Sequence, residues 1–298
     1  MPLTNIQLGQ TLALFTALAW GFAVILFKKS GETVHPIALN VFKNFLAVVL
    51  LIPTIPLFGE TLFYDAPRNN YLLLLASGAL GIGISDTLFF MCLNRLGAGL
   101  TAIIDCLYSP FIIIMSIIWL GESLTLFQVI GAVMIISAVL TAVNRKGVPG
   151  LKRRDLWIGV GYGTLAMATN ALGLIMIKRV LEQSPLFWVT EVRIFGGLLV
   201  LLLVLLFNPH RNKIIGSLRL TGGWKYTISG SFIGTYIAMV LWLGGMQLER
   251  ASITAALNQT SSIFVFIFAW LILKEKITIP KIIGIILAVG GVMLITLL

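Results

Sequence analysis

The 298-residue chain is 58% hydrophobic and only 11% charged, against roughly a quarter charged in a soluble domain, so lipid must cover most of its surface. Its apolar runs are continuous and about twenty residues long, enough for a helix to cross the hydrocarbon, which excludes a closed barrel with its apolar–polar alternation. The formal net charge of +10 reads as basic residues gathered in cytoplasmic loops rather than as a nucleic-acid surface.

Punctuation by Pro, Gly and charge predicts an all-α membrane protein with ten transmembrane helices. The first covers 8–28; Lys28 follows its apolar run instead of preceding it and no small-residue cleavage site comes after, so it reads as a retained span and not a signal peptide. The next four cover 37–58, 71–93, 98–120 and 125–143, with Tyr108, Ser109 and Pro110 breaking the fourth. After a linker at 144–155 come 156–178, 186–207, 225–247, 252–273 and 278–297. Only 59–70, 144–155 and 208–224 are longer connections, and none has room for a soluble domain.

The second group of five repeats the first. Leu-Gly-Glu-Ser-Leu-Thr at 120–125 returns as Leu-Lys-Glu-Lys-Ile-Thr at 273–278, placing Glu122 on Glu275. The same shift of 153 carries Gly81 onto Gly234, Thr101-Ala102 onto Thr254-Ala255, Ser109 onto Ser262 and Gly131 onto Gly284. Nearer the start of each half a shift of 150 carries Lys28-Lys29 onto Lys178-Arg179 and Lys43 onto Arg193. Five spans is an odd number and the linker is too short to recross the bilayer. The expectation is therefore two inverted five-helix repeats, 8–143 and 156–297, an architecture that secondary transporters use around a site between the halves. Of the 21 Lys and Arg, 15 fall on the side of the loops after odd-numbered spans and 4 on the other, Arg145, Lys146 and Arg250 among them. The positive-inside rule then places both termini outside.

Ala-Leu-Ala-Trp-Gly at 17–21, together with the Leu120–Thr125, Gln128 and Gly131 stretch echoed by Glu275 and Gly284, resembles the EamA family of the drug/metabolite transporter superfamily. The resemblance covers nearly the whole chain as two repeats. It implies a ten-span carrier in the cell membrane that exports or imports small metabolites such as amino acids. Many such relatives have termini assigned to the cytoplasm, opposite to the charge bias.

Charges within the hydrocarbon are costly, so they mark candidate sites. Lys43 lies about seven residues into its span, roughly 10 Å deep at 1.5 Å per residue, and Asp86 and Asp105 share that depth. In the second half Arg193 takes the place of Lys43, with Glu191 nearby, and Asn258 that of Asp105. One reading is a polar cavity holding both ends of a zwitterion; the other is a Lys43–Asp pair tying helices together, with Arg193 snorkelling to an interface. Asn258, Gln259 and Ser262 make a polar entry to the ninth span, suited to binding substrate or to bonding neighbouring helices. Tyr108, Asn170 and Trp242, with Trp20 and Tyr236, are candidate cavity walls or packing and anchor residues. Gly159–Gly163 and Gly230–Gly234 have the spacing that lets helices approach closely. Glu122 and Glu275 are expected to cap the helix that follows each of them.

His35 and His210 fall in connections, and Cys92 and Cys106 lie in apolar stretches, so no catalytic residues, metal site or cofactor is expected. No Walker motif points to ATP, and nothing suggests a carbonyl-lined filter or charged ring of a channel. The composite expectation is export of a small polar metabolite, with lipid as surroundings and protons as a candidate coupling ion through Asp86 or Asp105. Import of a vitamin, nucleoside or sugar-type metabolite by the same fold is the alternative.

Overall fold

The computed structural model describes residues 5–120, 125–143, 151–219, 223–249 and 251–297. Eight of its helices are long and apolar enough to cross a membrane: α1 (Asn5–Ser30), α2 (Pro36–Leu57), α3 (Arg68–Leu96), α4 (Ala98–Trp119), α5 (Leu126–Val143), α6 (Arg153–Gln183), α7 (Leu186–Phe207) and α8 (Trp224–Leu248). The ninth expected span is two shorter pieces, Ala251–Asn258 and Ser261–Leu271, together α9; the tenth is α10 (Ile279–Leu297). No strand occurs among the described residues. A short helix that the sequence did not announce, Arg211–Ser217, lies in the 208–224 connection. Glu122 and the basic residues Arg145, Lys146 and Arg250 lie outside the described residues.

Local chemistry sets the helix ends. Pro36 opens α2 where a missing N–H costs nothing, and His35 Nδ1 accepts from the Ile37 N–H at 3.3 Å. Gly97, at φ +82, ends α3 in a conformation that favours glycine. Glu60 accepts from the Trp188 N–H at 3.0 Å, satisfying one of the free donors at the start of α7.

Two backbone irregularities recur in both halves. A π turn widens α3 at Ala79–Ile84 and α8 at Ser231–Ile237, stretches that the shift of 153 brings onto one another. The fourth helix of each half is broken, at Cys106–Leu107 and at Gln259–Thr260, again 153 apart. The bonding is the same at both breaks: Leu107 N–H to Ile104 O and Ser109 N–H to Cys106 O in one, Thr260 N–H to Leu257 O and Ser262 N–H to Gln259 O in the other. The first break thus falls just before Tyr108–Pro110, because Pro110 has no N–H to continue the ladder.

The inter-half packing follows an exchange of halves. α1 packs on α8 and α9 as α6 packs on α3 and α4; α2 meets α7, α4 meets α9 and α5 meets α10, each with its own counterpart. Glycines permit the approach. A Cβ at Gly131 would lie 2.5 Å from Gly291 O, and one at Gly291 2.6 Å from Gly131 O, so α5 and α10 touch backbone to backbone. Cβ atoms at Gly159 and Gly163 would each come within 2.6 Å of a side chain of α3 or α4, and one at Gly234 within 2.7 Å of Ala23. Glu275 departs from expectation. It does not cap the helix after it; its carboxylate reaches across to the start of α4, accepting from Ala98 and Gly99.

Candidate functional site

A cavity lies where the two π turns and the two helix breaks converge. Of its 17 lining residues, 12 fall into six repeat-related pairs. Trp20 matches Asn170 at the shift of 150, and at the shift of 153 Gly81 matches Gly234, Ser85 Ala238, Asp86 Met239, Phe89 Trp242 and Asp105 Asn258. The irregular backbone explains the location. A π turn or a break leaves carbonyls without their usual partners, and at membrane depth this is tolerated only inside protein or against a wet cavity. Side chains meet part of the need: Asn40 Nδ2 donates to Ile82 O and Gly83 O at 3.0 and 3.2 Å, and Gln259 Nε2 donates to Asp105 O at 3.1 Å, joining the two breaks.

The charges around the cavity are unevenly partnered. Lys43 and Asp86 form an ion pair at 2.6 Å, with side chains only 2% and 12% exposed, and the Lys43 ammonium also reaches Asn44 Oδ1 at 3.5 Å. Arg193 is fully buried, behind Gly81 rather than in the wall. Its Nε donates to Ser77 Oγ at 3.1 Å and its guanidinium lies 5.3 Å from the Trp242 ring, a cation–π geometry. A Cβ on Gly81 would come 2.8 Å from Arg193 Nη2, so the glycine leaves the guanidinium close to the cavity. Asp105 differs from both: its carboxylate lines the cavity with no hydrogen bond or ion pair to another described residue.

Buried polar atoms without a hydrogen-bond partner among the described residues cluster here. Tyr108 Oη, Asn170 Oδ1, Trp242 Nε1, Asn258 Oδ1 and Gln259 Oε1 all belong to lining residues, and Arg193 Nη2 lies just behind them. Such atoms cost free energy unless something bonds to them, so the cavity wall offers donors and acceptors to whatever occupies it, water included. Aromatic faces complete the wall, with Trp20 and Phe89 at 5.7 Å and Tyr108 and Trp242 at 6.2 Å between ring centres.

Eight of the eleven residues expected from the sequence line this cavity: Lys43, Asp86, Asp105, Tyr108, Asn170, Trp242, Asn258 and Gln259. Arg193 stands behind the wall, and its full burial rules out snorkelling. Ser262 is buried beside the break, accepting from Cys106 Sγ at 3.4 Å, and does not line the cavity. Glu191 is outside it too, with Oε2 buried and unbonded among the described residues. Trp20 is in the wall, while Tyr236 bonds Thr54 at 2.6 Å elsewhere. Sequence reasoning missed Thr16, Ser85, Phe89, Met167, Ala238 and Met239. Each stands three or four residues from one it named, the spacing that puts side chains on one helix face.

The profile described as the EamA-like transporter family matches residues 7–144 and 157–297. The chain is 22% identical to an uncharacterized transporter of Archaeoglobus fulgidus over 96% of its own length and 97% of the relative's. It is 26% identical to an uncharacterized transporter of Methanothermobacter thermautotrophicus, over 91% and 81% of the two chains. A crystal structure of a protein 17% identical in sequence superposes with a TM-score of 0.73, covering 97% of this chain and 96% of that one, which is a likeness of fold.

Proposed function

The chain belongs to the EamA-like transporter family, and from that premise we propose that it is a secondary carrier exporting a small zwitterionic metabolite, an amino acid or a close relative. It is a multi-pass membrane protein. The proposed mechanism is alternating access between two inverted five-helix repeats. The recurrence of the π turns, the breaks and the exchanged packing supports that symmetry, because interchangeable halves offer two mirror-related open states.

The observation that carries the substrate reading is the polarity of the cavity. Lys43, Asp86 and Arg193 together leave one positive charge in excess, whereas the Asp105 carboxylate has no hydrogen bond or ion pair to another described residue. A zwitterion complements both, with its ammonium on Asp105 and its carboxylate towards the Arg193 and Lys43 group, while the unbonded amides and Tyr108 Oη take up further polar atoms. Charge-assisted bonds of this kind are the strong ones, more so where water is excluded. Asp86 or Asp105 would carry a coupling proton. A second reading, import of a vitamin, nucleoside or sugar-type metabolite, draws support from the aromatic faces of Trp20, Phe89, Tyr108 and Trp242, which suit a planar or ring-shaped guest.

A thermal-shift screen of the purified protein against amino acids, nucleosides, sugars and vitamins separates the two. Ligand at ten times its Kd adds about 1.4 kcal/mol of stability. The zwitterion reading expects amino acids to raise the melting temperature and Asp105→Asn to abolish the effect. Stabilisation by uncharged ring compounds alone, retained in Asp105→Asn, would transfer support to the second reading.

A further inference from the structure

We propose that Glu275 is a latch that holds one end of the cavity shut by tying the second half of the chain to the first. The inference rests on the alternating-access reading above. Glu275 Oε1 accepts from the Ala98 N–H at 2.7 Å and Oε2 from the Gly99 N–H at 3.1 Å, so one carboxylate takes up two free donors at the start of α4. The dock is shaped for it. A Cβ at Gly97 would lie 2.8 Å from Oε1 and one at Gly99 3.2 Å from Oε2.

The approach from the other side is also specific. Lys274, immediately before, has φ 54, the only positive φ of a non-glycine among the described residues, and such strain persists only where the surrounding structure enforces it. The Glu275 N–H is held by Ala269 O at 3.1 Å. Two lysines flank the carboxylate: Lys281 Nζ at 4.0 Å, and Lys28 within electrostatic reach, itself donating to Asn94 O at the end of α3.

What makes this contact a latch is what it joins. The piece Ala98–Asp105 runs from the dock to the break at Cys106–Leu107, and the piece Ser261–Leu271 runs from the break at Gln259–Thr260 towards Glu275. Each is a short rigid rod with a hinge at the level of the cavity, and the two rods pack together. Releasing the carboxylate frees both rods at the end away from their hinges, so they can part and admit solvent to Asp105. The hinge and the latch lie at opposite ends of the same segments, the arrangement a gate requires.

The test places spin labels at Arg95 and Lys276, both exposed and on either side of the contact, and reads their separation by double electron–electron resonance in wild type, Glu275→Gln and Glu275→Ala. The wild type should be dominated by a short distance, and both variants should move the majority of molecules to a longer one. Gly99→Ala, which crowds Oε2 without removing it, should shift the distribution the same way by less. A contact that merely stabilises the fold would lower the melting temperature and leave the distances alone. Unchanged distributions in folded Glu275→Ala and Gly99→Ala would overturn the latch. Absence of substrate exchange by the wild type in proteoliposomes would instead overturn the carrier reading beneath it.

Discussion

The two halves keep the same backbone devices and differ in charge. Both widen their third helix by a π turn and break their fourth at positions 153 apart, yet the first half brings Lys43, Asp86 and Asp105 to the cavity where the second has Arg193, Met239 and Asn258. A π turn or a break is carried by backbone bonding and a few small residues, so it survives divergence of the side chains around it. Recognition of a guest with two unlike ends needs the opposite, walls that are not copies of each other. On the proposed carrier reading, the two halves hold their breaks and π turns in common and divide their chemistry.

Disturbing the charged half should do the most harm. Lys43→Ala leaves Asp86 a buried carboxylate without its ion-pair partner and should cost about 3–5 kcal/mol of stability, read as a fall in unfolding midpoint in detergent. Lys43→Met with Asp86→Leu should recover most of that stability without recovering transport; a double variant as unstable as the single one would show that the pair is not what is lost. Next, Asp105→Asn makes the two fourth helices alike at this position and should slow exchange about tenfold or more, equivalent to about 1.4 kcal/mol, with insertion and folding intact. Wild-type flux in well-expressed Asp105→Asn would remove the residue from the site. Smaller still, Trp242→Leu deletes the ring beneath Arg193 and should weaken binding by about 0.5–2 kcal/mol. Its counterpart Phe89→Leu should matter less, and equal losses would argue that both rings act only as walls.

The least effect is expected at the bundle end. Burial holds the His35 imidazole below its usual pKa, and its Nδ1 must be unprotonated to accept from Ile37. The folded state then binds fewer protons than the unfolded one, so stability is full above the unfolded value of about 6.5 and declines as pH falls through it. Melting temperature should drop modestly between pH 8 and pH 6, and His35→Asn, which keeps a cap acceptor, should flatten that slope.

Long apolar runs punctuated by Pro and Gly made the helices legible, to the point that α7 begins and ends at 186 and 207 as expected. Pro110 announced the first break; the second has no proline, and only the polar run Asn258-Gln259-Thr260 hinted at it. The π turns left almost no trace, because one extra residue in a helical turn changes neither composition nor length. Gly81 and Gly234 were visible as a repeated pair but not as the centres of widened turns. Of the cavity wall, the ionisable residues stood out because charge is rare at that depth, whereas Phe89, Met167 and Met239 look like any lipid-facing residue until the rotation of each helix is known. Depth along a helix could be counted from the sequence; direction around it could not, which is why Arg193 was located at the right level and yet stands behind Gly81. The role of Glu275 was hidden for a related reason. Its partners are 176 and 177 residues away in the chain, and nothing local distinguishes it from a carboxylate that caps its own neighbour.

The central claim is that the cavity between the halves is the substrate site of a carrier, and counterflow in proteoliposomes tests it most directly. Vesicles preloaded with an unlabelled amino acid that stabilises the protein should accumulate the labelled compound transiently and saturably, and Asp105→Asn should suppress the overshoot. Flux that rises linearly with concentration, shows no overshoot and is indifferent to Asp105→Asn would contradict a carrier working through this site.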